Sequence, residues 1–259
     1  MEKYLEYLEF AQHIAQEAGQ VLHQNVHGSF DTRSKGLRDL VTSADLEAEA
    51  CIVRAIRSRY PKHDILTEES PAQQRRSPYQ WVIDPLDGTG NFSRRFPCFS
   101  TSIGLTLDDE PIAGVVYDPM RQHLFSAARG AGATLNGQPL HVSKTQHMID
   151  TLIGLDWTRD EDIRRKIVQA IARLTPECGA TRNYGSAALG LCYVAAGWWD
   201  AYFHLHLYSW DAAAGALIVR EAGGVVTDGR GARWQPGMAQ CLTSNGRVHE
   251  RFCELVHQE

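Results

Sequence analysis

Asp45, Glu68, Asp84, Asp87 and Asp211, together with the turn Gly88-Thr89-Gly90, are the residues whose types and spacing suit chemistry. The densest group lies in Trp81-Val82-Ile83-Asp84-Pro85-Leu86-Asp87-Gly88-Thr89-Gly90-Asn91-Phe92. An apolar run there reads as a buried strand. It ends in two carboxylates three residues apart and then in a glycine turn. Carboxylates at a strand end suit a hard cation, and backbone N–H groups just beyond them suit a phosphate. This segment therefore combines both halves of a metal-dependent phosphate site.

Each acid has an ordinary structural explanation when taken alone. Thr42-x-x-Asp45 fits a helix capping box. Glu68 and Glu69 follow a strand, where acids are commonly just solvated. Asp84 and Asp87 fit a turn around Pro85, with carboxylate oxygens bonding nearby amides. Asp211, after Ser209-Trp210, complements a helix N-terminus. Together these explanations weaken, because Glu68 and Asp84 end adjacent strand segments and Asp87 follows three residues on. The sequence between Glu68 and Asp87 holds no basic residue except Arg75 and Arg76. Converging carboxylates without basic partners either hold protons or bind cations. An all-oxygen donor set favours Mg²⁺, Mn²⁺ or Ca²⁺ over zinc.

The elements that must position these residues follow from hydrophobic spacing. Tyr4, Leu8, Ala11, Ala15, Ala18 and Leu22 predict a helix from about 3 to 25, and a polar stretch follows from His27 to Arg38. Asp39 to Thr42 leads into a second helix, Ser43 to Arg59, ended by Pro61. Strands are expected at 65–67 and up to Asp84, with a polar loop from Glu68 to Pro78 between them. Residues 99–107 and 111–117 read as a hairpin around Asp108-Asp109-Glu110, and 122–127 and 131–135 continue the β-rich region. After His147 strands and helices alternate: strand 151–155, helix 160–174, strand 178–181, helix 185–196. Strand 200–203, helix 211–222, strands 225–227 and 240–243, and helix 247–257 complete the chain. The expected class is α/β (α+β), a layered αβαβα architecture with a mostly antiparallel first sheet and a smaller second sheet. A loose boundary near residue 145 divides one compact unit into halves 1–145 and 146–259.

The 259-residue chain is 43% hydrophobic and 22% charged, an ordinary globular composition. Its formal net charge of -5 argues against a nucleic-acid partner held by general electrostatics. No apolar run is long enough for a membrane span, and Met1-Glu2-Lys3-Tyr4 is unlike a signal peptide. The six cysteines are scattered with no Cys-x-x-Cys pair, which fits reduced thiols of a cytoplasmic protein.

Three blocks resemble the inositol monophosphatase family of Mg²⁺-dependent, lithium-sensitive phosphatases, in order and separation. They are Asp39-Leu40-Val41-Thr42-Ser43-Ala44-Asp45, then Glu68-Glu69-Ser70 with Trp81 to Phe92, and last Trp210 to Gly215 with Glu221-Ala222-Gly223-Gly224. The resemblance covers residues 5 to 250. It implies that Glu68, Asp84 and the Leu86 carbonyl hold a first metal. Asp84, Asp87 and Asp211 hold a second, and Glu68 shares a weaker third. It implies that Asp45 and Thr89 activate the attacking water, and that Gly88 and Thr89 amides cradle the phosphate. Metals roughly 3.5–4 Å apart acidify that water and neutralise developing charge. Arg182, Ser186, Ala187 and His204 are implied on the substrate side. Lys35 falls where many bacterial members place a lysine near the metal-bound water, though a solvated lysine is the plainer expectation. The implied activity is a phosphomonoesterase for a small phosphate ester, foremost inositol 1-phosphate, in a homodimer. Related branches act on fructose 1,6-bisphosphate, histidinol phosphate or 3′-phosphoadenosine, and some bacterial members are regulatory binding proteins. The chain departs from the family pattern at Gly90, usually Thr, and at His204, often a polyol-binding Glu. Trp198-Trp199 is expected in the core rather than at a subunit interface.

Overall fold

A computed structural model of the chain describes residues 1–71 and 74–257. Helices α1 (Glu2–His27) and α2 (Ser43–Arg59) form the first layer. They cover one face of a seven-stranded sheet with the order β3-β4-β5-β6-β7-β8-β9. Its strands are β3 (Asp64–Thr67), β4 (Tyr79–Asp87), β5 (Ser100–Leu107), β6 (Glu110–Asp118), β7 (His123–Ala128), β8 (Ala133–Leu135) and β9 (Gln138–Pro139). Only the β3–β4 pair is parallel. The other face packs on α5 (Ala187–Ala195) and α6 (Ser209–Glu221), which form the central layer.

A five-stranded sheet follows, ordered β11-β10-β12-β14-β13. It comprises β10 (Leu152–Leu155), β11 (Ala180–Asn183), β12 (Ala201–His204), β13 (Val225–Thr227) and β14 (Cys241–Ser244). Helices α4 (Glu161–Leu174) and α7 (His249–His257) cover its outer face. The result is the expected αβαβα layering.

The apolar run that opens β4 has a physical cause. Both faces of this inner strand are covered, so consecutive residues must be apolar. Trp81 and Ile83 join the core under α1 and α2, whereas Val82 joins the core under α5 and α6. On the other face α6 lies unusually close to the sheet. A Cβ at Gly114 would sit 2.9 Å from Ala214 Cα, so glycine on β6 and alanine on α6 permit the approach. That contact fixes α6, and with it Asp211, beside the end of β4.

One element was invisible in the residue pattern. Thr32–Gly36 (β1) and Asp39–Thr42 (β2) form an antiparallel hairpin where a polar stretch was expected. Every β1 residue is exposed, so no apolar alternation marks it. The second helix of the alternating region begins at Ala187 rather than 185, because Ser186 caps it, accepting from Leu189 N. Strand β11 lies two residues later than expected. The expected 68–78 loop contains 72–73, which lie outside the described residues.

Candidate active site

The end of β4 holds the site because of a bulge. Asp84 pairs with Ser102 and Asp87 with Ser100, so three steps on β4 face two on β5. Residues three apart on a regular strand point to opposite faces. One extra residue cancels that alternation and brings the two carboxylates to the same side. The Thr101 hydroxyl secures the bulge by donating to the Pro85 carbonyl at 3.0 Å. Asp84 Oδ1 accepts from the Leu86 amide at 3.0 Å, the short turn that Pro85 suggested.

Asp87 is held across the molecule. Ser186 donates its hydroxyl to Oδ2, the Ala188 amide does so at 2.9 Å, and the Ala187 amide reaches Oδ1 at 3.2 Å. These are the first residues of α5, whose N-terminus favours a negative charge. Ser186 and Ala187 thus lie on the carboxylate side of the site. Asp211 sits in the first turn of α6, where Oδ2 accepts from the Tyr208 amide at 2.8 Å. Asp45 Oδ2 accepts from the Thr42 amide at 2.8 Å and from the Thr42 hydroxyl, while Oδ1 faces Thr89 Oγ1 at 3.2 Å. Thr89 also reaches the Leu86 carbonyl at 3.1 Å. Asp45 and Asp211 are therefore helix-capping residues and site residues at once.

Glu68, Asp84, Leu86, Asp87, Gly88, Thr89 and Asp211 line one cavity of about 910 Å³, and Asp45 lies behind its lining, in contact with Thr89. Burial pushes the Asp84 carboxyl well above its usual range, and Glu68, Asp87, Asp211 and Asp45 add repulsion. Burial likewise raises Asp211, with Asp87 the next cause. Asp87 rises to about 6 through burial, against its bond from Ser186. Asp45 rises to about 6 through burial, against its bonds from Thr42. Among the described residues no three His, Cys, Asp or Glu side chains stand close enough together to hold an ion on their own, so a cation here would need the Leu86 carbonyl and water among its ligands. The second oxygens of Asp84, Asp211 and Glu68 have no protein donor among the described residues. A carboxylate and carbonyl set without thiol or imidazole suits a hard divalent cation that keeps some of its waters.

Basic partners do reach the acids, from elements distant in sequence. Lys35 on β1 donates to Glu69 at 2.8 Å and to Glu68 at 3.4 Å, so this exposed lysine is ion-paired rather than free. Arg159 lies 2.8 Å from Asp39 and 3.6 Å from Glu68. The expectation of an acid cluster free of basic neighbours is corrected at Glu68: proximity in sequence did not report proximity in space. Glu49 was also unmarked. It is buried and accepts from Thr67 Oγ1 at 2.9 Å, Glu69 N at 3.2 Å and Ser70 Oγ. It thereby anchors the strand end that carries Glu68. Its signal was its place one helical turn after Asp45.

Gly88, which precedes the single turn α3 (Thr89–Phe92), has φ +95°, and a Cβ there would meet the carbonyl oxygens of Cys98 and Gly185, each at 3.0 Å. Gly90 has open space around it, so the departure from the family pattern leaves the turn intact. Asn91 donates to the carbonyls of Cys98 at 2.8 Å and Tyr184 at 2.9 Å, joining the two halves of the chain. His204 lines the cavity but is buried and held neutral, its pKa pushed down to about 4 by burial. Its Nδ1 accepts from the His206 amide at 3.1 Å, and its ring bonds the Trp157 backbone. Arg182 is exposed, turns back to its neighbour's carbonyl (Thr181), and is not on the cavity wall. Trp199 is buried as expected, while Trp198 is 47% exposed.

Comparison with known proteins places the whole chain among relatives. The chain is 41% identical to the Nus factor SuhB of Salmonella typhimurium over 256 residues, covering 97% of this chain and 96% of that one. It is 40% identical to the Escherichia coli protein of that name over the same length. The extragenic suppressor protein suhB of Bartonella henselae superposes with a TM-score of 0.93 at 32% identity, covering 98% and 99% of the two chains. The Thermotoga maritima IMPase superposes at 0.90 with 33% identity, covering 97% and 96%. No helix among the described residues is long and apolar enough to cross a membrane. The inositol monophosphatase family model matches residues 3–259, so the acids on the bulged strand and their distant partners stand in a chain that belongs to the inositol monophosphatase family, a family of phosphatases.

Proposed function

We propose that this chain hydrolyses a small polyol or sugar phosphate, with inositol 1-phosphate the first substrate to test. Glu68, Asp84, the Leu86 carbonyl, Asp87 and Asp211 would hold Mg²⁺, with Mn²⁺ as a substitute. The observation that carries this is the bulge, which sets Asp84 and Asp87 on one side, beside Asp211 and the Thr89–Asp45 pair. When bound, the cations supply Lewis acidity that acidifies the attacking water and screens charge on the phosphoryl oxygens. Thr89 is too weak a base alone; its hydroxyl would take the attacking water's proton as it hands its own to Asp45. The amides that open the turn at Gly88 and Thr89 lack helical partners and face the phosphate. Ser186 and the α5 amides keep Asp87 charged and in place. The homodimer of the resemblance belongs to the same reading.

The test is a panel of phosphate esters with Mg²⁺, run beside Asp87→Asn. It includes inositol 1-phosphate, histidinol phosphate and fructose 1,6-bisphosphate. Turnover unchanged by the substitution sinks the mechanism. The bisphosphate is included because Arg94 and Arg164 line the cavity and pair with no carboxylate among the described residues. A second reading, a regulatory binding protein, is favoured by the likeness to Nus factors. Absence of turnover of every ester by pure, metal-loaded protein supports it.

A further inference from the structure

We propose that Asp156 is a positioning residue that sets the grip of α5 on Asp87. It follows strand β10, and it lines the same cavity as the acids. Asp156 is 5% exposed, yet each of its carboxylate oxygens finds a donor. Oδ1 accepts from the amides of Gly185 at 2.6 Å and Tyr184 at 3.2 Å, and from Asn183 Nδ2 at 3.0 Å. Oδ2 accepts from the Tyr202 hydroxyl at 3.0 Å. The turn from β11 into α5 is therefore held by its amides. Asn91 holds the same turn from the other side, by the carbonyls of Tyr184 and Gly185 at 2.9 and 3.2 Å. Gly185 takes φ +76° between the two clamps. The next three residues, Ser186, Ala187 and Ala188, are the donors that fix Asp87. Asp156 does not touch Asp87 by hydrogen bond; it acts through the placement of these three.

All four partners of Asp156 donate, so an acceptor at Oδ1 is what the turn requires. Only the Tyr202 hydroxyl can turn to accept instead. An asparagine can keep Oδ1 as acceptor and offer its NH₂ to Tyr202. Alanine removes both and leaves the buried amides unpaired.

The proposal rests on the metal-dependent hydrolase proposed above, and its test reads metal binding directly. Mn²⁺ is titrated into the intact protein and the free ion is followed by electron paramagnetic resonance. Asp156→Ala is expected to weaken Mn²⁺ binding about tenfold, as loss of a group behind a metal ligand commonly does. In turnover of the best ester of the panel, the Mg²⁺ needed for half-maximal rate rises in parallel. Asp156→Asn is expected to bind Mn²⁺ like the parent, and this rescue is what a purely structural role for the charge would not give. Tyr202→Phe, which leaves the turn's amides bonded, is also expected to bind like the parent. If Asp156→Ala folds and keeps parental Mn²⁺ affinity, the proposal is overturned, even if its melting temperature falls. Should that variant not fold, Asp156→Ser carries the same test, because its short hydroxyl cannot reach the two amides together. Asp87→Asn serves as control. If it too binds Mn²⁺ like the parent, the metal reading fails; if it alone loses affinity, only the role of Asp156 fails.

Discussion

Gly88→Ala tests whether the turn after Asp87 is built as described, and Gly90→Ala two residues on is its matched control. The φ of +95° at Gly88 is left-handed backbone, which costs a residue with a Cβ roughly 1–2 kcal/mol. The new Cβ would also stand 3.0 Å from the carbonyl oxygens of Cys98 and Gly185 and 3.3 Å from Phe99 Cα. These are backbone atoms, two of them carried by segments that Asn91 ties together, so they do not swing away as a side-chain end would. Overpacking of this kind costs roughly 1–3 kcal/mol. The sum, about 2–5 kcal/mol, is a large share of the roughly 5–15 kcal/mol that stabilises a typical domain. Gly90 has no atom within 4 Å of an added Cβ and no positive φ. Alanine there restricts the unfolded chain and is expected to add about 0.4–1 kcal/mol. Urea denaturation followed by tryptophan fluorescence measures both. Ester turnover should fall about 100-fold for Gly88→Ala, since a displacement near 1 Å at Thr89 suffices for that. Gly90→Ala should keep parental turnover. A Gly88→Ala protein within about 0.5 kcal/mol of the parent, against that rough 2–5 kcal/mol estimate, refutes the reasoning.

The proton path predicts a pH effect. Asp45 must be ionised to accept a proton, and burial favours its neutral form, so kcat should fall along a limb on the acid side. Thr42→Val removes a bond that favours the charged form, so the limb should move to higher pH; an unmoved limb means that Asp45 is not the base. The same raised pKa has a stability consequence of defined sign. The folded protein binds this proton more tightly than the unfolded chain, so Asp45 makes stability fall as pH rises from about 4 to about 6. Asn91→Ala leaves the carbonyl of the buried Cys98 without this donor and should cost about 1–3 kcal/mol in urea titration. Glu49→Ala should lower turnover of the best ester far more than Glu49→Gln, whose amide oxygen still accepts from the Glu69 amide. Equal activity of the two variants would remove Glu49 from the support of Glu68.

The acids of the site were legible one at a time because each closes a local pattern: a strand end, a capping box, a first helical turn. Those patterns rest on interactions a few residues apart, which a sequence displays directly. The layered fold was legible for the same reason, through apolar spacing on helices and strands with a covered face. The exposed β1 hairpin was not, since a strand without a buried face leaves no period. Asp156 was missed although it carries the strand-end signal that singled out Glu68 and Asp84. No glycine turn follows it, and its partners lie 27 to 46 residues away. Lys35, Arg159 and Glu49 belong to the same category, their contacts made across the chain rather than along it.

The sequence alone therefore determined which residue types converge, the hard-cation chemistry they suit, and the family in which that combination occurs. Tertiary structure decided what surrounds each acid. It placed Asp87 at the α5 N-terminus, brought Lys35 and Arg159 to Glu68, sealed His204 as a neutral ring, and left Arg182 outside the cavity. The physical reason is that ligand identity is a property of side chains, whereas charge state and aim depend on burial and on donors that only the folded chain supplies.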